Sequence, residues 1–208
     1  MVLYKKFIPS HASVKEEVLP SENFQGCDVV LGPEMGNNGE VMGIEFEFPM
    51  AFSKAQIEEN QKLPLVGMVF LILSDFRKPR LPAIANRFIE LGFTIVATTS
   101  TASLLKMEGI PVERVLKLHE ERPHADDMIA NGKIQLMVIA NSGDALDQID
   151  GQKLRQMALA YKIPIITTVA RALTSVQVIK SMKKDSLNMI PLQDFLNPQK
   201  SWGTTQEL

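Results

Sequence analysis

The sequence predicts an α/β fold, with an open, three-layer, Rossmann-type domain over about residues 65–195. Two observations lead to this prediction. Runs such as VGMVFLILS (66–74) and IQLMVIA (134–140) are apolar almost throughout, as in parallel strands buried on both faces. Segments with helical periodicity alternate with these runs, and this alternation predicts right-handed crossovers and a parallel sheet covered on both sides.

The strands and helices of this domain follow one another in a regular order. In PRLPAIANRFIELG (79–92), apolar residues recur at helical spacing and Gly92 is placed to end the helix. Gly109 has the same place after the next helix, and Asp150 is the predicted N-cap of a later one. The predicted strands are 66–74, 93–98, 112–118, 134–140 and 163–168, and the predicted helices are 79–92, 101–109, 124–132, 151–162 and 169–182.

The first 60 residues do not follow this alternation. Residues 26–48 are rich in glycine and asparagine and have little helical periodicity. PMAFSKAQIEEN (49–60) predicts one helix, with Pro49 suited to its first turn. The polar end of the sequence, 196–208, predicts a flexible tail.

Composition excludes several classes of function. Charged residues make up 22% of the chain and the formal net charge is −2, so no global charge favours nucleic acid or a membrane. The single cysteine, Cys27, cannot form an internal disulfide, and no Cys/His cluster predicts a metal site. The apolar runs are too short to span a bilayer, and no signal-peptide core is present at the start. We expect a cytoplasmic protein.

Candidate binding residues follow the strands, where ligands of open α/β sheets bind. Lys78 follows the first predicted strand, the hydroxyl cluster Thr98–Thr101 follows the second and opens a helix, and Lys117 ends the third. ANSG (140–143) follows the fourth. Two ammonium groups and a helix N-terminus at one edge predict a phosphate pocket. The alternative is that the threonines are helix caps and the lysines are solvated.

A second polar run, LHEERPHADD (118–127), holds two histidines and four acidic residues. Acid–base chemistry or a metal site is one interpretation, but the spacing matches no compact ligand motif. An exposed network of Arg122 with Glu120 or Asp126 is the other. The chain has neither a nucleophile elbow nor a glycine-rich dinucleotide fingerprint, so we assign no catalytic residue and no metal ligand.

Longer strings resemble the carbamoyl-phosphate synthase large chain. KLHEERPHADDMIANGKIQLMVIANSG (117–143) and LGFTIVATTSTASLLKMEGIPVERV (91–115) resemble its C-terminal methylglyoxal-synthase-like regulatory domain. SVKEEVLP (13–20) and LGPEMGNNGEVMG (31–43) are similar to the end of its second ATP-grasp unit. The implied organisation is an ATP-grasp remnant over 1–48, a connecting helix and linker over 49–64, and the regulatory domain over 65–195.

The resemblance implies two effector sites. In bacterial members UMP inhibits and IMP activates, and the nucleotide phosphate is held by the turn that matches Thr98 and Thr101, with neighbouring lysines that match Lys78 and Lys117. Asn141 and Ser142 remain from a further motif at this site. For ornithine, the other effector, the implied contacts are the Glu16 carboxylate, the Leu31 carbonyl and Thr167.

This sequence departs from the family pattern at several positions. Ser100 replaces the glycine of the phosphate turn, which lowers backbone freedom there. Ile139 and Ala140 replace a polar pair, and Asp144 stands where a basic residue is common. Gly36, Asn37 and Asn38 replace an Arg-Ser-Thr sequence, which removes a cation. The changes at Ser100, Ile139, Ala140 and Asp144, which lie in the regulatory domain, predict a weakened nucleotide site.

The implied activity belongs to a much longer subunit. ATP, Mg and K would bind in synthetase units that precede the matched region, so we expect no cofactor in this chain and no carbamoyl phosphate from it alone. The implied partners are the rest of the large subunit and the glutaminase small subunit, and a homo-oligomer through the regulatory domain is the further candidate. A plastid stroma is the alternative location. The alternative functions are a methylglyoxal synthase-type lyase and an oligomerisation domain with a degenerate effector site.

Overall fold

A computed structural model describes residues 9–18, 39–58, 61–73, 75–116, 125–140, 145–184 and 190–195. Seven strands and seven α-helices lie in these ranges. The strands are β1 (Ala12–Val18), β2 (Gly39–Glu45), β3 (Gly67–Leu73), β4 (Phe93–Thr98), β5 (Glu113–Val115), β6 (Ile134–Ala140) and β7 (Ile165–Ile166). The helices are α1 (Phe48–Glu58), α2 (Leu81–Glu90), α3 (Thr99–Met107), α4 (Ala125–Ala130), α5 (Ala145–Ala160), α6 (Val169–Lys184) and α7 (Leu192–Phe195).

Five strands form one parallel sheet in the order β5-β4-β3-β6-β7. Within this sheet the first strand along the chain is β3, at the centre. Strands β4 and β5 are then added on one side, and β6 and β7 on the other. The direction of winding therefore reverses between β3 and β6. In doubly wound sheets the crevice outside the carboxyl ends of such a strand pair is the usual ligand position.

Two hydrophobic cores cover the two faces of this sheet. Alternate residues of β3 enter different cores, with Val69 and Leu71 on one face and Phe70 on the other. The first core packs these strands against α2, α3 and α6, and the second packs them against α4 and α5. The sheet with helices on both sides confirms the predicted three-layer α/β fold, and burial on both faces explains why its strands are apolar throughout.

The N-terminal strands form a separate two-stranded antiparallel sheet, in which Val14 lies opposite Gly43. Helix α1 packs on this hairpin through Gly43, where a Cβ atom would lie 2.6 Å from the Ala55 nitrogen. The same helix contacts α6, and its Phe52 joins the first core of the large sheet. The hairpin is thus attached to the large sheet through α1.

Several predicted boundaries need correction. Strands β4 and β6 have the predicted bounds, and Gly92 and Gly109 follow their helices with φ of 85° and 72°, as expected of helix stops. Asp150 is not an N-cap, because α5 already begins at Ala145 and continues through the buried Gly151. A glycine in a helix interior costs only about 1 kcal/mol, so it does not force a start.

Other differences concern short elements. The predicted strand 112–118 is only Glu113–Val115, and the last strand is only Ile165–Ile166. Both are edge strands with one neighbour, so fewer ladder bonds define their ends. Residues Asp75–Arg80 form a 3-10 helix that carries Pro79, and α2 begins after it at Leu81. The tail 196–208 lies outside the described residues, and the proposed domain boundaries stay a prediction.

Candidate effector-binding sites

The carboxyl ends of four strands meet at one edge of the large sheet. Leu73 of β3 lies opposite Ala140 of β6, and Thr98 of β4 lies opposite Val115 of β5. Lys117, Asn141 and Ser142 lie outside the described residues, but each follows one of these strand ends by one or two positions. The register therefore brings the carboxyl ends of β3, β4, β5 and β6 to the same edge, next to the reversal between β3 and β6.

Thr98 occupies the N-cap position of α3 at this edge. Its backbone is extended, with φ −67° and ψ 161°, as an N-cap residue requires, yet its hydroxyl makes no capping hydrogen bond. The residue is 5% exposed, and Thr101 in the next turn is 1% exposed. The geometry therefore does not support the alternative in which the Thr98 hydroxyl caps the helix.

Thr99 is a candidate that sequence reasoning did not single out. Its Oγ1 atom is buried and has no hydrogen-bond partner within the described part of the chain. A buried unpaired hydroxyl is unfavourable, so such an atom is expected to meet a polar group that the described residues do not supply. The run of hydroxyls was visible in the sequence, but only the structure distinguishes this inward-facing one.

Ser100 is compatible with the backbone of this turn. It is an exposed residue in the first turn of α3, and the only non-glycine residue with positive φ in the described ranges is Lys162. A serine therefore adopts the local conformation without strain. The expected loss of backbone freedom does not distort the start of α3, where free N–H groups and the positive end of the helix dipole favour an anion.

Lys78 lies in the 3-10 helix after β3, and it is half-buried. The 3-10 helix follows β3, which is the neighbour of both β4 and β6 in the sheet. The position of Lys78 agrees with the predicted cationic role, which stays a prediction.

The second predicted site involves the hairpin and the start of α6. Glu16 lies in β1 opposite Val41, and Thr167 is a half-buried residue between β7 and α6. Leu31 lies outside the described residues. The Glu16 Oε2 atom is 3.6 Å from Nη2 of Arg171, which belongs to the first turn of α6. This ion pair was not predicted, because nothing local in either segment indicates a partner so far along the chain.

The acidic run at 118–127 is described only at its end. Asp126 and Asp127 open α4, where the Asp126 Oδ1 atom accepts a hydrogen bond of 2.9 Å from the Asp127 nitrogen. In the described ranges no three His, Cys, Asp or Glu residues are grouped to hold a metal ion. None of the helices in those ranges is long and apolar enough to cross a membrane.

Comparisons with known proteins agree with this architecture. Residues 80–167 match the family model described as MGS-like domain. Over 92% of its length the chain is 64% identical to the carbamoyl phosphate synthase arginine-specific large chain, chloroplastic, of Arabidopsis thaliana, and 47% identical to the carbamoyl phosphate synthase large chain of Nostoc sp.. Over 89% of its length it is 39% identical to the carbamoyl phosphate synthase large chain, C-terminal section, of Aquifex aeolicus.

The chain spans only part of these relatives. The matched region is 16% of the Arabidopsis protein, 17% of the Nostoc protein and 35% of the Aquifex protein. The identity over nearly the whole chain confirms the resemblance that the sequence motifs indicated. Residues 80–167 are an MGS-like domain, and over nearly its whole length the chain is homologous to the C-terminal section of the carbamoyl phosphate synthase large chain.

Proposed function

We propose that this chain is the allosteric section of a carbamoyl phosphate synthase large subunit, and that it binds the phosphate of a nucleoside monophosphate at the N-terminus of α3. The observation that supports this most directly is the N-cap residue Thr98, whose hydroxyl caps nothing although it is enclosed at the carboxyl edge of the sheet. The buried Oγ1 of Thr99, for which the described ranges offer no hydrogen-bond partner, lies at the same helix start.

The attraction for an anion would be local rather than global. The formal net charge of −2 repels an anion weakly at long range, so affinity depends on the helix start and on nearby ammonium groups. Hydrogen bonds to a charged group contribute about 1.5–3 kcal/mol each. Loss of one such bond therefore raises the dissociation constant by roughly tenfold to a hundredfold.

Regulation requires a difference in effector affinity between two states of the whole enzyme. In this proposal ATP, Mg and K bind in other parts of the large subunit, and the glutaminase small subunit supplies ammonia. The chain alone would bind UMP or IMP and make no carbamoyl phosphate. The Arabidopsis and rice relatives are both named as chloroplastic, which supports a plastid stroma over the cytoplasm for the whole protein.

Calorimetric titration with UMP and IMP tests the proposal. Thr98→Val keeps the shape of the side chain and removes the hydroxyl, so we expect nucleotide affinity to fall by about tenfold or more, the loss of one charged hydrogen bond. The free energy of unfolding should change by less than about 0.5 kcal/mol, because this hydroxyl makes no cap bond. A destabilisation of about 1 kcal/mol with unchanged affinity would mean that Thr98 is only a cap.

Ser103→Ala is the matched control, since Ser103 lies on the exposed face of the same helix. It should change neither nucleotide affinity nor stability. Absence of binding for both UMP and IMP at millimolar concentration would contradict the proposal, and production of methylglyoxal from dihydroxyacetone phosphate would favour the lyase instead.

A further inference from the structure

The short helix α7 packs on the end of the N-terminal hairpin. The ladder between β1 and β2 begins at the pair of Ala12 and Glu45, and the next residues outward are His11 and Phe46. The Phe195 ring of α7 packs against both of these side chains. Its centroid lies 5.6 Å from that of the His11 ring and 5.1 Å from that of the Phe46 ring. Residues from the two ends of the described chain are thereby joined.

Phe195 is the buried residue of α7. It is 9% exposed, whereas Pro191, Leu192 and Gln193 are all exposed. Tilted aromatic pairs at such separations attract each other in addition to the apolar area that they bury. A helix of four residues has little stability of its own, so the position of α7 depends strongly on the packing of this ring.

The contact of α7 with the hairpin is separate from the attachment through α1. Helix α1 packs at Gly43, within the ladder, whereas Phe195 packs on the two rings beyond its end. Neither the hairpin nor α7 belongs to residues 80–167, which match the MGS-like domain. After completing this domain, the chain therefore returns to the segment that precedes it.

His11 opposes tight closure of this contact. Its Nδ1 atom is buried and has no hydrogen-bond partner among the described residues. A buried polar atom without a partner costs free energy, and the cost is removed when the contact opens and water reaches the ring. The burial of Phe195 and the unpaired nitrogen act in opposite directions. A contact balanced in this way opens more readily than the two apolar cores.

We propose that α7 is a releasable clasp on the β1–β2 hairpin. In the closed state Phe195 covers His11 and Phe46, and in the open state these rings are exposed while α1 still holds the hairpin. Release loosens β1 and β2 and leaves α3 and the large sheet unchanged. The inference goes beyond effector binding at α3, because the clasp needs no ligand. It gives α7 control over how firmly the segment that resembles the end of a synthetase unit is held.

Amide hydrogen exchange of the full chain tests the clasp in both directions. Phe195→Ala should accelerate exchange in β1 and β2 by about tenfold, since it removes both ring contacts and the buried side chain. His11→Phe should slow the same amides by about fivefold, because a phenyl ring keeps the contact and removes the unpaired nitrogen. Leu192→Ala is the matched control, since Leu192 is 54% exposed on the same helix, and it should have no effect. In all three variants the amides of α3, β3 and β6 should exchange at wild-type rates.

The inference is overturned if the hairpin of Phe195→Ala exchanges at the wild-type rate, or if Leu192→Ala accelerates it equally. Equal acceleration in the large sheet would show that α7 stabilises the whole fold and is no clasp on the hairpin. Unchanged or faster exchange in His11→Phe would contradict the balance between the ring contacts and the unpaired nitrogen. If circular dichroism shows that Phe195→Ala is unfolded, Phe195→Leu replaces it. Leucine keeps an apolar side chain without the ring contacts, so we expect an acceleration of about threefold in the hairpin.

Discussion

The two sheets of this molecule are stabilised in different ways. The five-stranded sheet is covered on both faces, and the side chains of its central strand alternate between two apolar cores. The two-stranded hairpin packs on α1 through Gly43, while Met42, the residue before it in β2, is 59% exposed. Ion pairs between polar side chains add to this packing. The comparison contrasts a candidate phosphate site supported by two apolar cores with a hairpin that is attached to the large sheet through α1.

A difference of this kind bears on how an effector could act. Elements with few apolar contacts open at lower free energy than the core, and switching elements are drawn from that part of a protein. The hairpin lies in the segment that resembles the end of a synthetase unit and α1 is the predicted connecting helix, whereas α3 belongs to the MGS-like domain. A change in packing between α1 and α6 is therefore the simplest route by which the two could influence each other.

The largest effect is expected in the core of the large sheet. Phe88 of α2 is fully buried and packs edge-on against Phe93, with ring centroids 5.8 Å apart. Phe88→Ala should reduce the free energy of unfolding by about 3–5 kcal/mol, because it removes a large buried side chain and leaves a cavity. Phe48→Ala is the control, since Phe48 is 49% exposed. Chemical denaturation measures both, and similar losses for the two would contradict the comparison.

Much of the large sheet could be predicted from the sequence, and the reason is its burial on both faces. Strands β4 and β6 have the predicted bounds because each forms a continuous apolar run with two neighbours in the sheet. The hairpin was missed because β1 and β2 are joined by a long segment, and their pairing depends on contact with α1 rather than on a local pattern.

The candidate sites show the same limit. Thr98 and Thr101 could be found from the sequence because they follow a predictable strand and open a predictable helix. The hydrogen bonding of these hydroxyls could not be predicted. Whether Thr98 caps its helix, and whether Thr99 has a partner in the described ranges, depends on tertiary packing. Arg171 escaped notice because its partners Glu16 and Phe52 are distant in sequence.

The hairpin itself can be disturbed at Gly43. A Cβ atom there would approach the Ala55 nitrogen and the Ala51 carbonyl oxygen, both backbone atoms of α1. Gly43→Ala should therefore cost about 1–3 kcal/mol, as overpacking does, and should move α1 away from β2. Amide hydrogen exchange distinguishes the regions, with faster exchange in β1, β2 and α1 and little change in β3 and β6. Met42→Ala, on the exposed side of the same strand, should leave exchange unchanged.

Uniform acceleration of exchange in both sheets of Gly43→Ala would show that the hairpin and the large sheet unfold together. That outcome would contradict the view of the hairpin as a less stable junction. It would also mean that α1, through Phe52, transmits the disturbance directly into the first core.

The smallest effect concerns two lysine–glutamate pairs of the hairpin region. Lys54 donates from α1 to Glu45 Oε2 at 2.6 Å and to the Ile44 carbonyl at 3.3 Å, and both charged side chains are largely buried. Lys15 and Glu40 also form a close pair, but their side chains are 59% and 51% exposed. Lys54→Met should cost about 1–2 kcal/mol, because it leaves a poorly solvated carboxylate, whereas Lys15→Met should change stability by less than about 0.5 kcal/mol. Thermal melts at low and high salt measure the difference, and equal losses would show that exposure does not decide the strength of these contacts.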